Sequence, residues 1–316
     1  MSTAAPAAGD HYNFGSTRAQ DLVVAIYQDL FGRLPSATEG LYWGNRLFFT
    51  ESPGGEQRRG DVAQAITSSD EYRSSMIAGA YDAYLLRGPD GGGMAFWLGR
   101  MDAGVRIEEI DAGFIASQEY WNRAGATPDG WVQMLYTDVL GRPAQPTEVR
   151  YWVGRLAAGA SRGWVATGFL LSTEHLGAVV SDYYDLLLER APDTAGLSYW
   201  VTAIQGGARD EAIVGLLVSS QEYWDLAVGP VFDSMVFESD YVVARPGESV
   251  AFRILGYLGG VYVGDVQTHV RLYLEGQRCA PGVCVVPLHS GQIVHVFADK
   301  GSLIIWAMVD VIGATP

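Results

Sequence analysis

GASRG at Gly159–Gly163 fits the Gly-x-Ser-x-Gly pattern in which hydrolases expose a nucleophilic serine on a sharp strand-to-helix turn. A helix is expected before it, and equivalent stretches elsewhere read GVRIE and GARDE, so Ser161 is expected to be a turn residue between helices. The loops GPDGGG and APDTAG place Asp90 and Asp193 among glycines, a setting that suits hard cations. Neither loop continues into an Asp-x-Asp-x-Asp ladder with a closing Glu, and helix N-capping accounts for both residues. The histidines, His11, His175, His269, His289 and His295, form no His-x3-His pair and no cluster with cysteine. His289 and His295 could share a sheet face. No catalytic residue, metal or cofactor is expected. Cys279 and Cys284 flank a Pro-Gly pair suited to a type II turn. A disulfide across a hairpin and two free thiols in a reducing compartment both fit that spacing.

Stacking and hydrogen bonding are the chemistry left. Trp and Tyr that face solvent stack on sugar rings and anchor protein interfaces. The candidates are Tyr257 and Tyr262 in GYLGGVYVGD, Trp306, and the last residue of SQEYW, which occurs twice and ends in Trp121 and Trp224.

The doubled pentapeptide belongs to a larger recurrence. Four segments contain AIYQDLFGRLPSATEGLYW, GAYDAYLLRGPDGGGMAFW, MLYTDVLGRPAQPTEVRYW and DYYDLLLERAPDTAGLSYW. A Tyr (Tyr27, Tyr81, Tyr136, Tyr184) precedes an Arg by six residues, and a Trp (Trp43, Trp97, Trp152, Trp200) follows that Arg by ten. A Ser-x-Glu comes next, 20 residues after the Trp in three segments and 26 in the first. Apolar residues at i, i+3 and i+4 predict that each segment is helical. Ser36, Asp90 and Asp193 should start a second helix that carries the Tyr-Trp on its buried face. Ser-x-Glu should cap a short fourth helix, with full capping boxes at Ser68-x-x-Glu71 and Ser219-x-x-Glu222. Because Arg and Glu recur together, partly buried ion pairs are expected between Arg33 and Glu71, Arg87 and Glu119, Arg142 and Glu174, and Arg190 and Glu222.

Tyr-x5-Arg-x-Pro-Asp-x-x-Gly-x-x-Tyr-Trp, followed by Phe-x-x-Ser-x-Glu-Tyr, resembles the bacterial repeat family called domain of unknown function 4214. Four copies would cover residues of about 20–228. The third departs with Arg142-Pro143-Ala144-Gln145, and the first with Ser36 and an insertion. The resemblance implies small all-α modules in tandem, found in large surface, secreted or particle-associated proteins, and no enzyme activity. The repeat is also similar to that of the linker domains of light-harvesting antennae.

After residue 230 the period changes to two, in THVRLYLEG, QIVHVFA and SLIIWAMVDVI, with turn signals between. The expected fold is multi-domain α + β. A leader (1–19) precedes helical repeats at 20–76, 77–126, 127–179 and 180–230, then an antiparallel β-sandwich or jelly-roll-like domain of about seven strands at 231–316.

Net charge is −15, with 28 acidic and 16 basic groups before residue 231 and 8 and 5 after it. That surface repels phosphate backbones, so no nucleic-acid partner is expected. No apolar run is long enough to span a membrane, and the N-terminus lacks the basic and apolar regions of a signal peptide. The function these features favour is a non-enzymatic spike or fibre of a phage, tail-like or gene-transfer particle, assembled in the cytoplasm and acting outside the cell. Its expected partners are other particle or surface-layer proteins, further copies of itself in an oligomer, and cell-surface polysaccharide. The alternatives are a secreted or surface adhesin exported without an N-terminal signal, and a glycan-modifying enzyme.

Overall fold

The computed structural model describes residues 18–47, 55–229, 234–267, 270–280, 282–286, 292–300 and 303–312. The expected leader falls almost wholly outside them. Fourteen helices are followed by ten strands among these residues. The helices are α1 (Arg18–Phe31), α2 (Ala37–Arg46), α3 (Gly55–Thr67), α4 (Asp70–Leu85), α5 (Gly91–Asp102), α6 (Ile107–Ala116) and α7 (Gln118–Arg123). Then come α8 (Pro128–Leu140), α9 (Pro146–Ala157), α10 (Arg162–Leu170), α11 (Thr173–Leu188), α12 (Thr194–Gln205), α13 (Asp210–Ser219) and α14 (Gln221–Val228). The strands are β1 (Ser234–Phe237), β2 (Tyr241–Ala244), β3 (Ser249–Ala251), β4 (Ile254–Leu258), β5 (Val261–Asp265), β6 (Arg271–Leu274), β7 (Gln277–Arg278), β8 (Val283–Val285), β9 (Gln292–Lys300) and β10 (Leu303–Val311).

Local chemistry sets the helix starts. Ser36, Asp90 and Asp193 each accept the backbone N–H three residues on, so α2, α5 and α12 begin where the sequence places them. The Ser of each Ser-x-Glu is also a cap: Ser69, Ser117 and Ser220 accept from Tyr72, Tyr120 and Tyr223, and Ser172 from His175. The capping boxes expected one residue earlier, at Ser68 and Ser219, give way to these caps. Only two of the capped helices are short. At Ser69 and Ser172 the helix continues for 16 residues into the first helix of the next segment, as α4 and α11. The boundaries expected at 76/77 and 179/180 therefore fall inside helices. Between α7 and α8 the continuation is broken: Gly125 and Ala126 take positive φ and Pro128 opens a new helix.

The chain divides into two compact units, one of residues 1–62, 187–189 and 218–316, the other of residues 63–186 and 190–217. In the second unit α6 packs against α10, with Gly163 beside Ala116. Trp131, Tyr120, Ile110, Ile115, Leu135 and Met101 are fully buried there. Trp131 reaches that depth because its indole N–H donates to the Ile115 carbonyl at 3.0 Å.

In the first unit the strands form three sheets, ordered β1-β4-β5, β2-β10-β9-β6-β7 and β3-β8. Their inward residues, Met235, Ile254, Val250, Cys284, Leu272, Val296 and Val309 among them, share one core. The number of strands exceeds the expected seven because β3, β7 and β8 are too short to show a period of two. Pairing is antiparallel except that β2 runs parallel to β10. Cys279 and Cys284 are joined by a disulfide with their Cα atoms 4.8 Å apart.

Candidate functional site

The recurring Tyr, Arg and Trp build a structural joint. In all four segments the guanidinium lies 4.9–5.1 Å from the centroid of the Tyr ring six residues earlier: Arg33 over Tyr27, Arg87 over Tyr81, Arg142 over Tyr136, Arg190 over Tyr184. The Trp indole donates to the Tyr hydroxyl in three of them, Trp43 to Tyr27 at 2.9 Å, Trp152 to Tyr136 and Trp200 to Tyr184 at 3.1 Å.

The same arginines hold carboxylates. Arg87 and Glu119 form a two-pronged pair at 2.7 and 3.0 Å, but both side chains are 43% exposed, so the partly buried pair expected from recurrence is a surface pair. Arg142 binds Glu174 at 2.6 Å and also Glu148 at 3.2 Å. Arg33 binds Glu39 at 2.8 Å, holding its carboxyl down to about 2. Arg190 donates to the Ala191 carbonyl. Glu71 and Glu222, the partners expected for Arg33 and Arg190, stand in the first turns of α4 and α14.

The tryptophans of the doubled SQEYW each lie beneath an arginine. Trp224 is 4% exposed, beneath the guanidinium of Arg59 at 5.0 Å, and Arg59 donates to the Ser219 carbonyl. Trp121 is half-buried against the core, beneath Arg162 at 4.8 Å, and Arg162 donates to the Ser117 carbonyl. Arg59 and Arg162 each lie ten residues before the Ser of a segment that lacks this Trp. The alternation of Trp and Arg between segments was a legible sign of packing. The aromatic before the repeated Trp also departs from expectation: Tyr42, Phe96, Tyr151 and Tyr199 are 47–65% exposed, each edge-on to its neighbouring Trp, which is half-buried.

A buried polar cluster in the second unit has no counterpart in the sequence reading. Arg106, just before α6, donates to the Ile204 carbonyl at the end of α12, and Arg209, just before α13, donates to the Met101 carbonyl at the end of α5. Between these reciprocal contacts lie Glu108, Asp111, Asp210 and Glu211. Arg73 and Arg209 neutralise Glu211, and Tyr183 donates to Asp210 at 2.6 Å. Neither Glu108 carboxylate oxygen meets a hydrogen-bond donor among the described residues. Burial, with Asp210 close by, raises the Glu108 carboxyl to about 7. Burial likewise raises Asp111 and Asp210.

The β4–β5 hairpin brings together the two tyrosines that the sequence marks. Leu258 pairs with Val261 across Gly259-Gly260, both at positive φ as a two-residue hairpin turn requires. A bulge after Gly256 sets Tyr257 opposite Tyr262, ring centroids 5.9 Å apart and edge to face. Val261, Tyr262 and Val263 are exposed. Arg253 grips Asp265 through two bonds, 2.8 and 3.0 Å, and also binds Glu238. Tyr262 donates its hydroxyl to Asp265. Hydrogen bonds from Arg253, then from Tyr262, hold the Asp265 carboxyl below its ordinary range. The hairpin thus presents an aromatic ring beside an array of fixed acceptors and donors. Arg253, Asp265 and Glu238 carry no motif, and only the pairing reveals them.

Trp306 is 56% exposed on the outer face of β10. His175 is half-buried with Nδ1 2.8 Å from the Val139 carbonyl, and loss of solvent around the ring lowers its pKa. His295 is exposed 4.0 Å from Glu275. His11, His269 and His289 lie outside the described residues. Among the described residues no group of three or more His, Cys, Asp or Glu could hold a metal ion, and no helix is long and apolar enough to cross a membrane. Ser161 caps α10 by accepting from Trp164.

A family model described as a domain of unknown function (DUF4214) matches residues 111–179 and 177–226. No curated protein and no solved structure matches the chain.

Proposed function

We propose that this chain is a non-enzymatic attachment protein that holds polysaccharide on its β4–β5 hairpin. Such a protein would serve as a spike or fibre of an extracellular particle assembled in the cytoplasm. On this reading the first two segments are diverged copies of the module that matches at residues 111–179 and 177–226, and the helical part is scaffold.

The observation that carries the proposal is the hairpin constellation. A sugar ring stacks its C–H face on an exposed tyrosine, and its hydroxyls need donors and acceptors fixed in place. Tyr262 supplies the ring, and Arg253, Asp265 and Glu238 supply the polar frame. Binding is favoured over hydrolysis because a general acid needs a carboxyl raised towards neutrality, and Arg253 moves Asp265 the other way. Of the carboxyl groups that burial raises, Glu108, Asp210 and Asp299 are 6% exposed or less and out of a sugar chain's reach, and Asp138 at the surface accepts from the Tyr120 hydroxyl at 3.0 Å.

A glycan array probed with the full chain tests this. Binding to a defined set of polysaccharides is expected, weakened about tenfold or more in Tyr262→Ala, as loss of a stacking anchor implies. Silence on the array, or turnover of a polysaccharide by the chain, overturns it. Electron microscopy of particles labelled for this chain addresses the setting.

A further inference from the structure

We propose that the open half of the outer face of the five-stranded sheet is a twofold interface between two copies of this chain. The inner face of that sheet carries Val242, Ala244, Leu272, Leu274, Val294, Val296, Ala298, Ala307 and Val309 in the shared core. The outer face is not polar as an ordinary antiparallel sheet's would be. At one corner its charged residues are already covered by α1 of the same unit. Asp29, 3% exposed, binds Arg271 at 3.3 Å and Arg278 at 2.9 Å, Tyr223 donates to it at 2.7 Å, and Gln28 donates to Asp299 at 2.9 Å. Beyond that corner the face turns apolar and opens.

The register orders this open part into rows. Tyr273, Phe297 and Trp306 form one, with ring centroids 4.7 and 5.0 Å apart. Tyr241, Met308 and His295 form the next, and Val243, Asp310 and Ile293 the last. Six apolar side chains here, Tyr241, Val243, Ile293, Ile304, Trp306 and Met308, are 42–56% exposed. Together they present on the order of 600 Å² of contiguous surface, at the upper end of what a monomer leaves open.

The chemistry selects the occupant. Trp306 could stack on a sugar, but Val243, Ile293, Ile304 and Met308 around it offer no hydrogen bonds, Asp310 already accepts from the Tyr241 hydroxyl at 2.8 Å, and His295 stands 4.0 Å from Glu275. A charge-steered partner would find little to grip there. An equivalent apolar sheet face matches it, packing sheet on sheet with interdigitating side chains. Two such faces bury about 1,200 Å², the lower bound of a stable, specific interface. The contact continues outward from the corner that α1 already covers, so both halves of one sheet face are then dry. Most of the net charge of −15 lies outside the β region, and its repulsion is screened over a Debye length of about 8 Å.

Sedimentation equilibrium of the full chain, from micromolar to hundreds of micromolar, tests the proposal. A mass of two chains is expected, falling to one in Trp306→Glu and in Met308→Glu, both exposed positions. A second measurement avoids variants: oxidation of Met308 and Trp306 in the unmodified chain should slow as concentration rises, while oxidation of the exposed Trp164 does not. A single-chain mass throughout, a three-chain assembly, persistence of the dimer in both variants, or concentration-independent oxidation of Met308 each overturns it.

Discussion

Aromatic side chains are put to opposite uses in the helical segments and in the β region. In the helices each repeated Tyr carries a guanidinium on its ring, and in three segments an indole on its hydroxyl. The extra Trp of alternate segments lies beneath an Arg from another segment. In the β region Trp306, Tyr241 and Tyr262 keep about half of their surface in water. The difference teaches that a recurring aromatic is explained by the joint it completes, whereas an aromatic without a recurring partner is free to meet something else. Tyr42, Phe96, Tyr151 and Tyr199 stand between these cases, repeated and yet exposed.

The sharpest way to break that contrast is to truncate one tryptophan of each kind. Trp224→Ala should cost about 3–5 kcal/mol of stability, the range for a buried aromatic. Trp306→Ala should cost less than about 0.5 kcal/mol, as at other surface sites. Urea unfolding at submicromolar concentration, where chains are separate, compares the two. Equal losses would remove the distinction.

The next effect concerns buried acids, which meet contrasting surroundings. Asp29 is ringed by Arg271, Arg278 and Tyr223, whereas Glu108 faces Asp111 and Asp210, with Arg106 as the nearest compensating charge. A carboxyl whose folded pKa is raised binds its proton more tightly when folded, so stability falls as pH rises from 4.5 to about 7. Asp111 and Asp210 act in the same direction. Glu108→Gln should flatten the fall and raise stability above that window by up to about 3 kcal/mol. Thermal unfolding at a series of pH values reads this directly, and an unchanged slope would relocate the buried proton.

Smaller effects test the joint itself. Tyr136→Phe removes the acceptor of the Trp152 indole and keeps the ring, and should cost about 1 kcal/mol. Arg87→Ala should have the least effect, because water screens an exposed pair that recurrence alone suggested was partly buried. Both are read from urea midpoints.

Much of the helical architecture was legible because its signals are local. Asp90, Asp193 and Ser36 act on an N–H three residues away, and Ser69, Ser117, Ser172 and Ser220 do the same. The partnership of Arg59 with Trp224 spans more than a hundred residues and follows from no local rule. The β region was legible as alternation, but alternation tells which residues share a face, not whether that face is covered. On β10 the outward residues Ile304, Trp306 and Met308 are as apolar as the inward ones. The hairpin tyrosines could be named from their glycine-rich setting. Their polar companions required the register, since Glu238 and Arg253 come from the segments flanking β1 and β4.

The uninterrupted helices α4 and α11 bear on how such a chain can grow or shrink. Each begins at the serine that closes one segment and ends in the next segment's first helix, so the two share a single rod. Excising a segment at its apparent sequence boundary would saw through that rod and strand half of it. Splicing from one capping serine to the next would instead remove a whole rod with its trailing helices and rejoin the chain at an intact start. The heritable brick of this architecture is thus offset by part of a helix from the repeat that the eye first finds, and Gly125-Ala126 is the mortar line where a rod has already been cut.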